Sequence, residues 1–173
     1  MLFRSLVDVP LLTHLMHEAV EAGARRIHLI TRPGKDLSAW VEGRESLADL
    51  RPEIAKAHFE PATGVDVLVH HQVEQRGLGD AIACALDDVK GPFLVLLGDN
   101  LLLEHHVGPE KAAPSSASKR LVDVHARTGR PVAGLMRVPE DEVSSFGIVR
   151  MNGEAIVDVV EKPLPGKAPS DLA

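Results

Sequence analysis

A carboxylate stands at the end of an unbroken apolar run, a position where reactive groups are common in α/β proteins. The run covers residues 93–97, and Gly98, Asp99 and Asn100 follow it. A continuous apolar run of this length predicts a strand buried on both faces of a parallel sheet. Ligands of open α/β sheets bind beyond the carboxyl ends of the strands, so Asp99 is a candidate ligand of Mg²⁺ or acceptor of sugar hydroxyls. The alternative is an ordinary turn, in which Asp and Asn are frequent.

A glycine-containing segment between a predicted strand and a predicted helix could hold a flat or phosphorylated ligand. Residues 72–82 have the sequence Gln-Val-Glu-Gln-Arg-Gly-Leu-Gly-Asp-Ala-Ile. Gly77 and Gly79 remove side chains where a ligand could approach the backbone, and the N-terminus of the following helix would favour negative charge. The spacing matches neither the dinucleotide fingerprint nor a P-loop. The alternative is that both glycines serve only a tight turn.

Charged residues also end a third predicted strand. Residues 157–163 have the sequence Val-Asp-Val-Val-Glu-Lys-Pro, so Glu161 and Lys162 follow the apolar positions directly. Lys162 could hold a phosphate as a point charge, and Glu161 could accept hydrogen bonds from sugar hydroxyls. Pro163 would stop the strand and fix the direction in which the chain leaves it. The alternative is an ion pair between neighbouring surface residues.

The elements that would position these residues alternate between helices and strands. Three segments have apolar residues three or four positions apart and are predicted helices: residues 10–22, 78–89 and 118–128. Four short apolar runs are predicted strands: residues 27–30, 66–70, 93–97 and 132–138. Asn152-Gly153 indicates a hairpin of residues 148–151 and 155–160. This order predicts an α/β layered domain with a mostly parallel sheet and an antiparallel margin.

The remaining segments carry weaker signals. Residues 36–57 are polar and only weakly helical, and residues 104–118 contain two prolines and a serine cluster, which predict a loop. Residues 163–173 contain three prolines and show no apolar period.

The composition indicates one ordinary globular domain. The chain has 173 residues, which is long enough to bury a core. Its content of 45% hydrophobic and 25% charged residues is that of an ordinary globular protein. A formal net charge of −6, with no basic stripe beside aromatic residues, argues against nucleic acid as a partner. Cys84 is the single cysteine, so no disulfide framework is expected and the predicted compartment is the cytoplasm. No long apolar run or secretory signal is present, so no membrane association is expected.

Four short motifs, taken in order, resemble those of the sugar-1-phosphate nucleotidyltransferases. They are Gln72 with Gly77-Leu78-Gly79, Leu97-Gly98-Asp99-Asn100, Ser145-Phe146-Gly147-Ile148-Val149, and Val160-Glu161-Lys162-Pro163. Residues 6–11 and 168–173 also resemble that family's spacing, and the pattern is most similar to the branch that uses UTP and glucose 1-phosphate. The resemblance covers nearly the whole chain. It implies a Rossmann-like three-layer (GT-A-like) nucleotidyltransferase fold with a mixed, mostly parallel sheet.

The resemblance implies how a nucleotide would be bound. Gln72 and Gly77 would contact the uracil of UTP, with Gly77 letting the base lie against the backbone. Asp99 would bind Mg²⁺, the implied cofactor, and would help to place the sugar and the phosphates. Asp99 is therefore both a metal-binding and a catalytic candidate.

The resemblance also implies how the sugar would be bound and what reaction follows. Gly147 would allow close approach of the hexose, Glu161 would bind its hydroxyls, and Lys162, a second catalytic candidate, would bind its phosphate. The implied reaction is attack of the glucose 1-phosphate oxygen on the α-phosphorus of UTP, which gives UDP-glucose and pyrophosphate. Such a step depends on in-line positioning and charge neutralisation more than on a covalent partner.

Departures from the family pattern leave other functions open. The family begins with a first strand and a glycine-rich loop that carries an Arg. The chain starts at Met1, after that point, and Val9 stands where the family has a Lys. It also stops at Ala173, before the segment that supplies a second metal-binding Asp. We therefore expect a fragment of an enzyme. The alternatives are a dTTP-using relative and a non-catalytic sugar-nucleotide-binding or interaction domain.

The absent first strand has a structural consequence. In the family it lies centrally in the sheet, between the strands that correspond to residues 27–30 and 93–97. Without it, those two strands must pair with each other or expose unpaired edges. Such a sheet is expected to be marginal by itself and prone to association into homo-oligomers.

Overall fold

The structure is a computed structural model that describes residues 5–6, 9–35, 37–43, 64–100, 102 and 115–173. The chain divides into two compact units, Met1–Arg130 and Pro131–Ala173. Residues 103–114, which cover most of the predicted loop at 104–118, lie outside the described residues, as do residues 44–63 from the weakly helical stretch.

The first unit combines short strands with helices. Its described elements are β1 Ser5–Leu6, β2 Val9–Pro10, α1 Leu11–Glu21, β3 Arg26–Thr31, α2 Ser38–Val41, β4 Asp66–His71, α3 Leu78–Ala83 and α4 Ala117–Thr128. β1 and β2 pair antiparallel, whereas β3 and β4 pair parallel, with Arg26 opposite Asp66 and Thr31 opposite His71. The predicted strands at residues 27–30 and 66–70 and the predicted helices at residues 10–22 and 118–128 are confirmed.

The core of the first unit lies between α1 and one face of the β3–β4 pair. Leu12 and Met16 of α1 are buried together with Leu37 and Trp40. The strand residues that pack against this cluster are Ile27, Leu29, Val67 and Val69. These positions alternate along each strand, as side chains that share one face of a sheet must. The apolar face of α1 is therefore buried against the sheet, as the spacing of its apolar residues predicts.

Gly23 ends α1 in the way that the sequence predicts. Its φ is 97°, a left-handed value that glycine adopts without a steric penalty. The Gly23 N–H donates to the Val20 carbonyl, and the Ala24 N–H donates to the Ala19 carbonyl. This pair of bonds is the Schellman arrangement, which satisfies carbonyls that a helix end would otherwise leave open.

A buried polar contact joins α1 to α4. The Ser118 hydroxyl donates to Oε1 of Glu18 at 2.5 Å. Glu18 is 2% exposed and Ser118 is 0% exposed. A carboxylate so far from water requires a hydrogen-bond donor, because its desolvation is costly. Ser118 supplies that donor from a helix a hundred residues further along the chain.

The face of the β3–β4 pair opposite the core carries two histidines in contact. Nδ1 of His28 lies 2.9 Å from Nε2 of His70, and the ring centroids are 5.1 Å apart. Partial burial lowers the pKa of His28, and the neighbouring His70 lowers it further. The carboxylate of Asp88 acts in the opposite direction, and Arg26 lowers the pKa slightly more. His28 is thus held towards its neutral form.

Residues 93–97 do not form a strand, so the prediction for this segment is wrong. Phe93 is 56% exposed and Val95 is 42% exposed, which also excludes burial on both faces. Among the described residues, the parallel sheet contains only β3 and β4, and the apolar run has no strand to pair with. We expected residues 27–30 and 93–97 either to pair with each other or to leave unpaired strand edges. Among the described residues, they do not pair with each other. An apolar run forms a ladder only where neighbouring strands complete it.

The predicted helix at residues 78–89 is also shorter than expected. α3 ends at Ala83, and residues 84–88 form turns. Asp87 and Asp88 stand where the negative end of the helix dipole disfavours carboxylates. The helical spacing of apolar residues thus extends to residue 89, whereas the helix itself ends at Ala83.

The second unit is built around a hairpin. A 3₁₀ helix at Val143–Ser145 leads into β5 Gly147–Asn152, which pairs antiparallel with β6 Ala155–Glu161. Gly153 adopts a φ of 59° in the turn that joins the strands. The hairpin that Asn152-Gly153 indicates is confirmed.

The end of the chain packs along this hairpin. The Val149 N–H donates to the Leu172 carbonyl, and Met136 and Ala173 exchange backbone hydrogen bonds at 2.9 Å. The predicted strand at residues 132–138 is reduced to a single bridge between Arg137 and Leu172, so that prediction is wrong as a strand. Residues 163–173 thus supply backbone hydrogen-bond partners to the rest of this unit, although their sequence pattern does not predict it.

Helices and a parallel strand pair together confirm the predicted α/β class. The described strands form one parallel and two antiparallel pairs. Within the described ranges, no helix has the length and apolar character needed to cross a membrane.

Candidate functional site

The candidate residues fall into two groups, one in each unit. Gln72, Gly77 and Asp99 belong to the first unit, and Gly147, Glu161 and Lys162 belong to the second. The structure brings Gln72 into contact with Gly77, and it brings Gly147 into contact with Glu161.

Gln72 lies at the carboxyl end of β4, where the parallel pair finishes. Its backbone N–H donates to the Thr31 carbonyl at 2.8 Å, which extends the pairing with β3 by one bond. The side chain is half-buried. Ligands of parallel sheets bind beyond this end of the strands, so the sheet itself places Gln72 at a binding edge.

Two acceptors hold the side-chain amide of Gln72. Nε2 donates to Oδ2 of Asp80 at 2.7 Å and to the Gly77 carbonyl at 3.1 Å. Oε1 has no hydrogen-bond partner among the described residues. Gln72 therefore closes the loop of residues 72–80 with its nitrogen and keeps its oxygen available.

Gly77 adopts a backbone conformation that only glycine tolerates well. Its φ is 102° and its ψ is −178°. An ideal Cβ at this position would meet no atom within 4 Å, so the space beside the residue is open. A flat ring could approach the backbone here without a steric clash. The glycine is thus required by its conformation and also leaves room for a ligand.

The helix that follows Gly77 is a poor site for a phosphate. α3 has six residues, and its first turn contains Asp80. The carboxylate opposes any anion at that end of the helix. The earlier expectation that this N-terminus favours negative charge receives no support from the structure, and the loop suits a base better than a phosphate.

Asp99 lies in a tight turn after the apolar run. The Asn100 N–H donates to the Leu97 carbonyl at 3.1 Å, and the Asp99 side chain is exposed. In the described part of the chain, no three His, Cys, Asp or Glu side chains are grouped to hold a metal. Mg²⁺ is commonly held by one or two carboxylates together with substrate phosphates and waters. Asp99 fits the role of a single protein ligand of that kind.

Gly147 and Glu161 face each other across the hairpin. They are partners in the register of β5 and β6. An ideal Cβ on Gly147 would lie 3.0 Å from Oε2 of Glu161 and 3.6 Å from Cγ1 of Val159. The missing side chain leaves the space that the Glu161 carboxylate uses. Glu161 is exposed and can accept hydrogen bonds from a ligand.

Lys162 has a strained backbone. Its φ of 45° is the single positive value that a non-glycine residue shows in the described ranges. Its N–H donates to the Phe146 carbonyl at 2.9 Å, and the next residue is the buried Pro163. A residue before proline normally avoids helical conformations, and a left-handed one costs about 1–2 kcal/mol. Strain of this kind is concentrated at functional sites.

The charged groups of Glu161 and Lys162 form only a loose ion pair. Nζ of Lys162 lies 4.0 Å from Oε1 of Glu161, and both side chains are more than 60% exposed. Exposed pairs contribute little to stability. Both groups are therefore available to a ligand, and the surface ion pair proposed as the alternative is present as well.

The sequence interpretation missed Asp80. No motif marks it, because its contact with Gln72 spans eight residues and depends on the turn at Gly77. A carboxylate eight residues after a glutamine carries no signal of its own. The contact becomes visible only when the loop is folded.

The fold is that of the nucleotidyl transferases. The chain belongs to the nucleotidyl transferase family, whose family model matches residues 2–173. It is 32% identical over 182 residues to the UTP–glucose-1-phosphate uridylyltransferase of Streptococcus pneumoniae serotype 4, covering 97% of this chain and 58% of that protein. It is 30% identical over 188 residues to an enzyme of the same name from Streptococcus pyogenes, with the same two coverages. The chain thus spans a little over half the length of these relatives.

Solved structures agree with this placement. A UTP-bound UDP-glucose pyrophosphorylase (UGPase) from Acinetobacter baumannii matches with a TM-score of 0.78 and 26% identity, over 99% of this chain and 63% of that one. A UDP-glucose pyrophosphorylase complexed with UDP-glucose matches with a TM-score of 0.76 and 25% identity, over 99% of this chain and 64% of that one. The predicted family and the predicted nucleotidyltransferase fold are confirmed.

Proposed function

We propose that the chain is the nucleotidyltransferase domain of a UTP–glucose-1-phosphate uridylyltransferase. The observation that carries this proposal is the paired Gln72 and Gly77 at the carboxyl end of β4. Together they offer an amide and an open glycine backbone, which suit a flat base. The similarity to proteins solved with UTP and with UDP-glucose supports the same ligands here.

The nucleotide would be held by residues of the first unit. Gln72 would bind the uracil through its side-chain amide, and Gly77 would let the ring lie against the backbone. Asp99 would hold Mg²⁺, the proposed cofactor, through one carboxylate. When bound, the ion would supply positive charge to the triphosphate.

The sugar phosphate would be held by residues of the second unit. Glu161 would accept hydrogen bonds from the hexose hydroxyls, and Lys162 would neutralise the phosphate. Gly147 would keep space for the hexose and for the Glu161 carboxylate. These groups position charge and do not form a covalent bond with the substrate.

The proposed reaction is a single displacement at phosphorus. A phosphate oxygen of glucose 1-phosphate attacks the α-phosphorus of UTP and forms a new P–O bond. The bond from the α-phosphorus to the bridging oxygen breaks, and pyrophosphate leaves with the electron pair. Lys162 would neutralise part of the negative charge of the sugar phosphate during this step. The products are UDP-glucose and pyrophosphate.

The proposed partners and compartment follow from this reaction. UTP, glucose 1-phosphate and UDP-glucose are the small-molecule ligands. We assign the chain to the cytoplasm, where a single exposed thiol such as that of Cys84 stays reduced.

A pair of glutamines allows a matched test of the nucleotide site. Gln72 and Gln75 lie in the same loop, and Gln75 is exposed, with no hydrogen bond described for its side chain. Calorimetry should show that Q72A raises the Kd for UDP-glucose about tenfold, which is the loss of about one hydrogen bond. Q75A should leave it unchanged. Equal affinities of the two variants would contradict the proposed site.

A second measurement addresses turnover and the choice of nucleotide. Pyrophosphate release should require Mg²⁺, UTP and glucose 1-phosphate. Faster turnover with dTTP than with UTP would favour the thymidylyltransferase alternative. Binding of UDP-glucose without pyrophosphate release would favour a non-catalytic sugar-nucleotide-binding domain.

A further inference from the structure

Asp80 and Gly77 together determine which end of the Gln72 amide faces the ligand. The amide nitrogen lies 2.7 Å from Oδ2 of Asp80 and 3.1 Å from the Gly77 carbonyl. A carboxylate and a carbonyl can only accept hydrogen bonds, whereas the amide of glutamine has a donor end and an acceptor end. The donor end must therefore point into the loop.

A flipped amide would be unfavourable. Oε1 would then lie against Oδ2 of Asp80 and the Gly77 carbonyl oxygen, with no hydrogen between them. The flip would lose two hydrogen bonds, one of them to a charged group, and such bonds are the stronger kind. Because Gly77 contributes only a neutral carbonyl, Asp80 provides most of the preference.

We propose that Asp80 is a positioning residue that fixes the Gln72 amide with its oxygen towards the nucleotide base. This inference rests on the proposed function of the same loop. An outward oxygen accepts from the N3–H that uracil carries, and it repels the N3 lone pair that cytosine carries at that position. Asp80 therefore contributes to base selection without touching the nucleotide.

The first test replaces the carboxylate with an amide of the same shape. Asn at position 80 can present either its oxygen or its nitrogen to Gln72, so the amide of Gln72 is free to flip. Calorimetry on the full chain should show that D80N raises the Kd for UTP about three- to tenfold and reduces the preference for UTP over CTP. D87N, which makes the same change at an exposed position near the end of the same segment, should alter neither quantity.

A double variant separates positioning from a general structural effect. If Asp80 acts only through Gln72, D80N should have no further effect on UTP affinity in a Q72A background. A further loss in Q72A/D80N, or an unchanged ratio of UTP to CTP affinity in D80N, would overturn the inference.

A ligand variant tests the same point in the unaltered chain. N3-methyl-UTP lacks the N3–H, so wild-type chain should bind it more weakly than UTP, and Q72A should bind both with equal affinity. Equal binding of the two nucleotides by wild type would overturn the inference while leaving the proposed function intact. Failure of wild type to bind either UTP or UDP-glucose would overturn both.

Discussion

The side chain that Gly147 lacks would collide with the carboxylate of Glu161. An ideal Cβ on Gly147 lies 3.0 Å from Oε2 of Glu161, closer than ordinary van der Waals contact. The two residues are partners across the hairpin, so the glycine and the carboxylate share one small volume. The carboxylate is the flexible end of its side chain and can move. The position of Glu161 is therefore sensitive to residue 147, while the fold is not.

G147A should separate ligand binding from stability. The added methyl group moves the Glu161 carboxylate by a few tenths of an ångström, so the Kd for UDP-glucose should rise severalfold. The free energy of unfolding should change by less than about 1 kcal/mol, because alanine has less conformational freedom to lose than glycine. Calorimetry and urea unfolding measure the two quantities. G34A adds a methyl group that meets no atom within 4 Å, and it should leave UDP-glucose binding unchanged.

K162G should stabilise the fold and abolish the binding of glucose 1-phosphate. Glycine removes the penalty of about 1–2 kcal/mol for a left-handed residue, at a cost of about 0.5–1 kcal/mol in unfolded-state freedom. The net stability should rise by up to about 1 kcal/mol, and binding of glucose 1-phosphate should be lost with the ammonium group. Urea midpoints and calorimetry test both. K167G, at a position without a positive φ, should lower stability instead. A destabilised K162G chain would argue against backbone strain at this residue.

Acidification should weaken the fold through His28. Burial and His70 lower its pKa in the folded state, so the unfolded chain binds more protons below the ordinary value of about 6.5. The contribution of His28 to the free energy of unfolding is therefore complete above a pH of about 6.5. It is lost as the pH falls through the lowered pKa of the folded state. Urea midpoints between about pH 8 and pH 5 should therefore decline, and the decline should be smaller in H28Q. Parallel pH profiles for wild type and H28Q would contradict this account.

S118A should destabilise the chain more than its small volume suggests. The variant leaves Oε1 of Glu18 buried without its donor, which costs about 1–3 kcal/mol. Chemical denaturation measures the difference. S145A removes an exposed hydroxyl and should change the free energy of unfolding by less than about 0.5 kcal/mol. Similar stabilities of S118A and S145A would show that Glu18 does not depend on the hydroxyl.

The sequence predicts those elements whose signals are local. The apolar stripe of α1, its end at Gly23 and the Asn152-Gly153 turn each depend on residues close together in the chain, and each is found as predicted. Residues 93–97 fail because a strand requires partners, and an apolar run carries no information about which partners are present. The strand predicted at residues 132–138 fails for the same reason.

The candidate site likewise has features that the sequence predicts and features that only the structure shows. Gln72, Gly77, Asp99, Gly147, Glu161 and Lys162 can be named from motif order, but their roles remain proposals. The contact of Asp80 with Gln72 crosses a loop, and the left-handed φ of Lys162 is a backbone property that a lysine does not signal. Sequence patterns therefore indicate which residues to examine, whereas the folded loop shows what holds them in place.

The buried contact between Glu18 and Ser118 also constrains how this protein can change over evolutionary time. Loss of either residue alone leaves a polar group without its partner, whereas joint replacement by apolar residues can be nearly neutral. A path that changes one residue at a time from one pair to the other therefore passes through a less stable intermediate. Across homologues, we expect the two positions to covary, with an acid paired to a hydroxyl residue or two apolar residues paired together.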